Sequence, residues 1–450
     1  MKMLIILLAA LTMTSYVHAE NIAIVGGKVH TMTSQGVIEN GTVLLSNGRI
    51  NAVLANGDVP DGYRVIDASG KVVTPGFIGA LTSLGLVEVS SSSGVVDASI
   101  EMTPISKTGA AFDVQYAINP DSSLIAITRL EGITSAATTM NRSDYLFGGQ
   151  GAVINLEGHR LDGESANASE YKSEYKSEYK SGQTPVLESG AFMTVDAGSD
   201  GAEMSGGSRA SLWVMLDKVF EEAKQASDNL SPEKSWYGIN SRLDVAALKR
   251  VVAGDMPLFM RADRAADIRQ VIAFKDRHSS INVVLVHGVE AWRVAKELAG
   301  ANIPVIIDPE YNLPGGFDQM GATLTNAARL HEAGVEVAIG MDTHNIRLAA
   351  QHAGNAVANG LPHETGLASL TSVPAKILGL EKEVGSLRQG ARADVVIWSG
   401  DPLEVTEAAE SVFIGGKAIK MESRQTKLRD RYMSLQQKKH ANPSQYERVE

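Results

Sequence analysis

Residues 72–85 read VVTPGFIGALTSLG and separate two kinds of sequence. Before them, residues 21–75 form short runs of β-branched residues that are broken by Gly, Asn-Gly and Ser-Gly turn signals. Such runs predict an antiparallel β unit, and Asn47-Gly48 between two apolar runs is typical of a hairpin turn. After them, residues 76–380 alternate apolar strand-like runs with helical patterns. We therefore expect the architecture to change within this stretch.

The alternation over residues 76–380 predicts a parallel sheet, because parallel strands need long crossover connections that are usually helices. Strand-like runs such as VVLVHG, IPVIID and VEVAIGMD are separated by helical patterns such as GVEAWRVAKELAGA. So many repeats favour a (β/α)8 barrel. Residues 384–420 return to β-type sequence, so we expect both chain ends to build one small domain with the barrel inserted between them.

The predicted fold class is therefore α/β, a (β/α)8 TIM-like barrel with a small composite β-sandwich domain. Residues 169–180 repeat SEYK three times. No Glu–Lys pair in that repeat falls at helical spacing, so it predicts a low-complexity surface loop. The expected segments are a signal peptide at 1–19, the composite domain at 20–75 and 384–421, the barrel at 76–383 and a polar tail at 422–450.

Composition and the N-terminus limit the function classes. The formal net charge of −11 argues against a nucleic-acid partner, and the lack of cysteine excludes a cysteine nucleophile, disulfides and a thiolate metal site. Lys2, the apolar run MLIILLAALTM and small residues around Ala19 predict a signal peptide. That run is shorter than the roughly 20 residues of a spanning helix. We expect a periplasmic or secreted protein without a membrane span.

Residues 72–85 resemble the first barrel strand of the amidohydrolase superfamily, which reads close to V-x-P-G-(F/L)-I-D-x-H-x-H-x-G. The run GSLRQGARADVV resembles the closing signature of that superfamily. The resemblance covers nearly the whole mature chain and is strongest at 41–85 and 330–402. Within the superfamily, the chain is similar to the imidazolonepropionase and Xaa-Pro dipeptidase-like branch. This resemblance implies a hydrolase that acts on carbon–nitrogen bonds of cyclic amides, amides or dipeptides.

The resemblance also shows where metal ligands are missing. Leu81 and Ser83 stand where the family has two metal-binding histidines. Leucine has no donor atom, and serine is a poor ligand while its hydroxyl is protonated. Arg261 and Asp263 stand at histidine positions after the predicted fifth strand. Arginine cannot bind a cation, and its fork pairs either with a substrate carboxylate or with the neighbouring Asp263. Arg261 and Asp263 are therefore candidate substrate-binding residues.

Two family positions retain their residues. His287 follows the predicted sixth strand, where relatives have a metal-ligand histidine, and Asp342 follows the eighth, where they have the catalytic acid. The resemblance implies Asp342 as general acid and base, and the alternative for Asp342 is a helix N-cap. His344, two residues further on, is a candidate either to share that task or to act as a base without metal. His287 and Asp342 are the candidate ligands if a zinc or manganese ion is bound, but a catalytic zinc normally needs three protein ligands.

The fourth strand and one arginine are further candidates. The fourth-strand position is either Glu157, in VINLEGHR, or Asp196, in AFMTVDAGSDG. Arg209 opens a predicted helix after a glycine-rich run, so we expect it to be available for a substrate carboxylate.

Two hypotheses about function follow from these residues. The first is a hydrolase of carbon–nitrogen bonds that uses Asp342, with a rebuilt metal site or none. The second is a catalytically silent protein of the same fold. Such a protein would bind a small ligand or a paralogous subunit through the barrel mouth. For either hypothesis, a homo-oligomer is the alternative to a paralogous subunit as the protein partner.

Overall fold

The structure, a computed structural model, describes residues 21–55, 57–88, 96–100, 105–157, 185–227 and 236–441. The expected signal peptide, the SEYK repeat and the last residues of the polar tail lie outside these ranges. The described residues form two eight-stranded sheets and one two-stranded sheet. Within these ranges, no helix is both long enough and apolar enough to cross a bilayer.

The N-terminal strands begin the first sheet. They are β1 (Ile22–His30), β2 (Val37–Ser46), β3 (Arg49–Leu54), β4 (Arg64–Asp67) and β5 (Val72–Pro75). Strands β1, β2 and β3 pair antiparallel, whereas β4 and β5 pair parallel to β1. Asn47 and Gly48, between β2 and β3, have φ angles of 51° and 75°. Both angles are positive, as a tight hairpin turn requires.

The barrel follows directly after Pro75. The next strands are β6 (Phe77–Thr82), β7 (Ser99–Ile100), β8 (Ile133–Thr138), β9 (Arg142–Ser143), β10 (Phe147–Asn155), β11 (Val186–Asp196), β12 (Leu258–Ala262), β13 (Val283–His287), β14 (Val305–Ile307) and β15 (Val337–Ile339). Strands β7 and β9 pair with each other, and the remaining eight form one sheet in chain order. The two edges meet where the Met341 amide donates to the Leu81 carbonyl over 2.9 Å.

One barrel strand is reversed. Strand β10 runs antiparallel to β8 and to β11, whereas the other ladders of the barrel are parallel. The expectation of a uniform (β/α)8 repeat is wrong at this strand. The physical reason is the short connection between β8 and β10, which contains no helix, because only an antiparallel neighbour can be reached without a long crossover. The start of β10 therefore lies at the barrel mouth.

The described residues also form eleven α-helices, several of which connect barrel strands. They are α1 (Ser123–Leu130), α2 (Ser199–Met204), α3 (Arg209–Gln225), α4 (Arg242–Ala253), α5 (Ala265–Arg277), α6 (Ala295–Gly300), α7 (Asn326–Glu332), α8 (Ala349–Ala358), α9 (His363–Ala368), α10 (Ser372–Ile377) and α11 (Arg424–Ala441). Leu258 and Met260 of β12 pack outward in one cluster with Phe274 of α5. Phe259, between them, packs inside the barrel. Arg261 continues this inward-facing row because strand side chains alternate.

The C-terminal strands complete the first sheet. They are β16 (Val395–Trp398), β17 (Ala409–Ile414) and β18 (Lys417–Ala418). Strand β16 pairs antiparallel with β5 on one side and with β17 on the other. The two ends of the chain therefore share one sheet, and the predicted fold class of a TIM-like barrel with a composite β domain is confirmed.

Candidate functional site

The ends of the barrel strands bring four of the predicted site residues together. Arg261 lies beside Asp196 in the β11–β12 ladder, and Ala262 lies beside His287 in the β12–β13 ladder. Asp342 follows β15, which closes the barrel against β6. Carboxyl ends of parallel strands meet at one face of a barrel. This arrangement places Asp196, Arg261, His287 and Asp342 around one mouth.

An ion pair joins Arg261 to Asp342 across this mouth. Nη1 of Arg261 lies 2.9 Å from Oδ2 of Asp342, and Nη2 donates to Oδ1 over 3.1 Å. Nη1 also donates to the Asn141 carbonyl over 3.2 Å. The arginine and aspartate side chains are only 14% and 15% exposed. The sequence left open which carboxylate Arg261 would meet, and in the structure it is Asp342, held by two bonds.

Arg261 fixes the charge state of its partner. Burial by itself would raise the pKa of Asp342, but the charges of Arg261 and His287 outweigh burial and leave that pKa below its usual value. Asp342 is therefore an anion at neutral pH. Its proton affinity is low, so the predicted role as general base requires Arg261 to move away from it.

His287 lies between two carboxylates without bonding closely to either. Its Nε2 is 3.7 Å from Oδ2 of Asp342, and its Nδ1 is 4.0 Å from Oδ2 of Asp263. Both separations exceed hydrogen-bond length, and Nε2 has no hydrogen-bond partner among the described residues. Burial by itself would lower the pKa of His287, but the two aspartates raise it above its usual value. The ring therefore favours its protonated form.

The backbone of His287 is strained. Its φ angle is +69°, in the left-handed region of the backbone map that residues other than glycine seldom adopt. Such strain persists only where the surrounding structure enforces it, and it often marks functional positions. The ring of Tyr311, from the connection after β14, lies 5.7 Å from the His287 ring between centroids. Burial raises the pKa of Tyr311, so this residue is a neutral phenol beside the histidine.

Asp263 supports loops around the site. Its Oδ1 accepts the Val289 amide over 3.1 Å, and its Oδ2 accepts Nε2 of Gln319 over 2.8 Å. Both oxygens are thus engaged within the protein. The predicted contact between Asp263 and substrate stays a prediction, and it would need to replace the Gln319 bond.

Leu81 and Ser83 are enclosed at the first strand. Leu81 is 1% exposed and belongs to the apolar cluster that fills the barrel. Ser83 is fully buried, its amide donates to the Thr343 carbonyl over 3.3 Å, and its Oγ has no partner among the described residues. Neither residue offers the nitrogen or carboxylate donors that hold a divalent ion in such a barrel.

A divalent metal ion does not fit this arrangement. A metal ion bound to Asp342 would lie next to the positive charge of Arg261, because the guanidinium is already within 3.1 Å of both Asp342 oxygens. In the described ranges, no group of three or more His, Cys, Asp or Glu residues could hold a metal ion. The pair of His287 and Asp342 therefore lacks the third ligand that a catalytic zinc normally requires.

The two fourth-strand candidates lie at opposite ends of the barrel. Asp196 ends β11 at the mouth, and its Oδ1 accepts the amides of Gly198 and Gly201 over 2.8 and 2.9 Å. Burial raises the pKa of Asp196, although these amides act in the other direction. Glu157 follows the reversed strand β10, and its Oε1 is 2.6 Å from Nζ of Lys417 in the first sheet. Of these two candidates, only Asp196 lies close enough to the barrel mouth to take part in the site.

Arg209 already has acidic partners. Its Nε donates to both oxygens of Asp267 over 2.9 and 3.0 Å, and its Nη2 donates to both oxygens of Asp318. A substrate carboxylate would have to compete with two aspartates for this guanidinium. The predicted role of Arg209 in substrate binding stays a prediction.

His344 takes no part in the ion-pair cluster. Burial and the charge of Arg347 lower the pKa of His344. None of the described residues forms a hydrogen bond or ion pair with its ring. Its predicted catalytic role also stays a prediction. Sequence reasoning missed Tyr311 and Gln319 instead, because they lie in the irregular connection after β14, where no strand pattern indicates which way a side chain faces.

Comparisons with known proteins agree with this architecture. A model of the Amidohydrolase family matches residues 252–419. Amidohydrolase tasK of Hapsidospora irregularis is 23% identical over 405 residues, which are 84% of this chain and 40% of that protein. The chain thus spans about two fifths of this relative. Imidazolonepropionase of Klebsiella pneumoniae is 47% identical over 49 residues, 11% of this chain and 12% of that protein.

A solved structure is similar over most of the chain. The crystal structure of an amidohydrolase from Thermotoga maritima MSB8 superposes with a TM-score of 0.74 at 26% identity, over 89% of this chain and 99% of that one. The fold, the strand-end residues and these similarities agree with one another. The family-model match, the relatives and the solved structure together support the amidohydrolase superfamily for this chain.

Proposed function

We propose that this protein hydrolyses a carbon–nitrogen bond of a small amide, cyclic amide or dipeptide at the barrel mouth, without a divalent metal ion. The Arg261–Asp342 ion pair carries the metal-free part of the proposal, since it places a permanent cation against the acid that relatives keep there. The similarity to the amidohydrolase superfamily supports the class of bond. The location outside the cytoplasm stays part of the proposal.

His287 is the residue that we assign to proton transfer. Its unpaired Nε2 and raised pKa suit a general acid, because the ring keeps its proton to a higher pH than an ordinary histidine does. In the proposed step, His287 donates this proton to the departing nitrogen while a water oxygen bonds to the carbonyl carbon. The proton released by that water returns to His287, so that an acid and an amine leave and the ring is restored.

The test compares His287→Gln with a matched control, His331→Gln. His331 is an exposed residue of α7, so its change leaves the mouth intact. Turnover of a panel of dipeptides and cyclic amides is measured on chelator-treated protein. We expect His287→Gln to lower kcat by roughly a hundredfold, the scale of one general acid, and the control to leave it unchanged. Turnover that appears only after zinc or manganese is added would contradict the proposal.

A catalytically silent ligand-binding protein is the second candidate. The observation in its favour is that Arg261 holds both oxygens of Asp342, which leaves this carboxylate without a free proton-accepting edge. Saturable binding of a panel compound with no turnover of any compound would favour this candidate over the first.

A further inference from the structure

A cavity of about 360 Å³ opens beside Arg261 at the barrel mouth. It lies where β10, β11 and β12 meet, and its polar wall includes Asn141, Thr194, Asp196 and Arg261. Thr194 and Asp196 share the inward face of β11 because they are two residues apart in one strand. The cavity therefore adjoins the candidate site and shares Asp196 and Arg261 with it.

Three polar atoms in this wall are buried and have no hydrogen-bond partner within the described part of the chain. They are Oγ1 of Thr194, Oδ1 of Asn141 and Nε of Arg261. Thr194 is only 3% exposed. An unpaired buried polar group destabilises a protein by about 1–3 kcal/mol, so three around one cavity are groups that a ligand or an ordered water would bond.

The charges around the cavity are mostly negative. Asp196 uses Oδ1 for two backbone amides, and no described residue donates to its Oδ2. Asp200 and Glu203 of α2 add two carboxylates to the wall. The one cationic side chain in the wall, Arg261, is neutralised by Asp342 on its far edge. A cation is therefore favoured next to Asp196, while Nε of Arg261 still offers a donor to an acceptor.

We propose that this cavity binds the protonated amino group of a small α-amino amide, with Asp196, Thr194 and Asn141 around the ammonium and Nε of Arg261 on the adjacent carbonyl oxygen. The inference rests on the proposed function, because it names the end of the substrate that the site recognises. Met140, Leu146 and Met204 supply apolar wall for a side chain. The ligand class is thus an amide that keeps a free primary amine.

A larger cavity of about 890 Å³ does not compete for this role. It lies at the other end of the barrel, beside Pro257, Val283 and Pro304, which precede or begin their strands. Within the described ranges, none of the buried unpaired polar atoms belongs to a residue of its wall. Size alone therefore does not identify the ligand site.

The test uses L-leucinamide and N-acetyl-L-leucinamide as probes on the purified protein, by isothermal titration calorimetry. The second probe carries an acetyl group on the amine, which removes its positive charge and adds bulk at the same nitrogen. We expect the capped probe to bind at least about tenfold more weakly, since it loses a hydrogen bond to a charged group. Equal dissociation constants for the two probes, or no binding of L-leucinamide at about 10 mM, would overturn the inference.

Two variants locate the binding. Thr194→Val keeps the shape and removes only an unpaired hydroxyl, so we expect unchanged or higher stability with several-fold weaker binding of L-leucinamide. Asp196→Asn should weaken binding by roughly tenfold. Glu221→Gln also removes one carboxylate charge, but at an exposed position of α3 away from the cavity, and it serves as the control. If both cavity variants bind like the wild type, the cavity is not the site.

The inference and the proposed function fail separately. Binding of L-leucinamide without hydrolysis of any panel compound would support the cavity and refute the enzymatic proposal. Hydrolysis of amides without a free amine, with no preference for L-leucinamide, would support the enzyme and refute the cavity.

Discussion

At the scale of single residues, the proposed site depends on one arginine. Arg261 supplies a fixed positive charge at the barrel mouth, and its guanidinium bonds to both oxygens of Asp342. Both residues could be identified from the sequence because the residues around them resemble family motifs. Their pairing could not be predicted, since they are 81 positions apart and only closure of the barrel brings them together.

Breaking this pair leaves a charge buried without a partner. We expect Arg261→Met and Asp342→Leu each to lower the free energy of unfolding by about 3 kcal/mol. The double variant should lose clearly less than the sum, because neither charge is then left alone. Urea denaturation of the wild type, the two single variants and the double variant measures this coupling. Additive losses would show that the two residues do not depend on each other.

His287 gives stability a defined dependence on pH. Its folded pKa lies above the usual 6.5, so its protonated form stabilises the fold fully below that pH. The contribution is lost as the pH rises through the folded pKa. The difference in unfolding free energy between wild type and His287→Gln should therefore be larger at about pH 6 than at about pH 9. A difference that grows with pH would refute the assigned charge state.

At the scale of elements, one reversed strand and one short helix shape the mouth. The apolar run of β10 predicts a strand but carries no direction, so its antiparallel placement was not readable from the sequence. Helix α2 follows β11 closely because Asp196 accepts the Gly201 amide near its start. The partners of Arg209 could not be predicted from the sequence either, since Asp267 and Asp318 lie 58 and 109 positions away from it.

Gly201 is the tightest point of this junction. A Cβ at Gly201 would come within 2.0 Å of the Asp196 carbonyl oxygen, whereas a Cβ at Gly300 in α6 would meet nothing within 4 Å. We expect Gly201→Ala to lower the unfolding free energy by about 2 kcal/mol or more, because the backbone must shift. Gly300→Ala, the control, should be neutral or stabilise by up to about 1 kcal/mol. Thermal denaturation of both variants checks the contrast.

At the scale of the whole molecule, the first sheet and the barrel are consecutive at Pro75, where β5 ends and β6 begins two residues later. Turn signals before Pro75, and the alternation of apolar runs with helical patterns after it, are the basis of the predicted domain boundary. Trp398 of the last segment packs on Phe77 of β6 with ring centroids 5.0 Å apart, and its Nε1 donates to Thr74. The C-terminal segment therefore packs directly against the first barrel strand.

The central claim is that a guanidinium, and not a divalent ion, occupies the charged position of this barrel. Metal content, measured by mass spectrometry on the purified protein after incubation with zinc or manganese and desalting, tests it most directly. We expect less than about 0.1 equivalent of bound metal. His287 and Asp342 are one ligand short of a catalytic zinc site, and Arg261 already pairs with Asp342. One equivalent of metal that resists desalting and disappears in Asp342→Asn would contradict it.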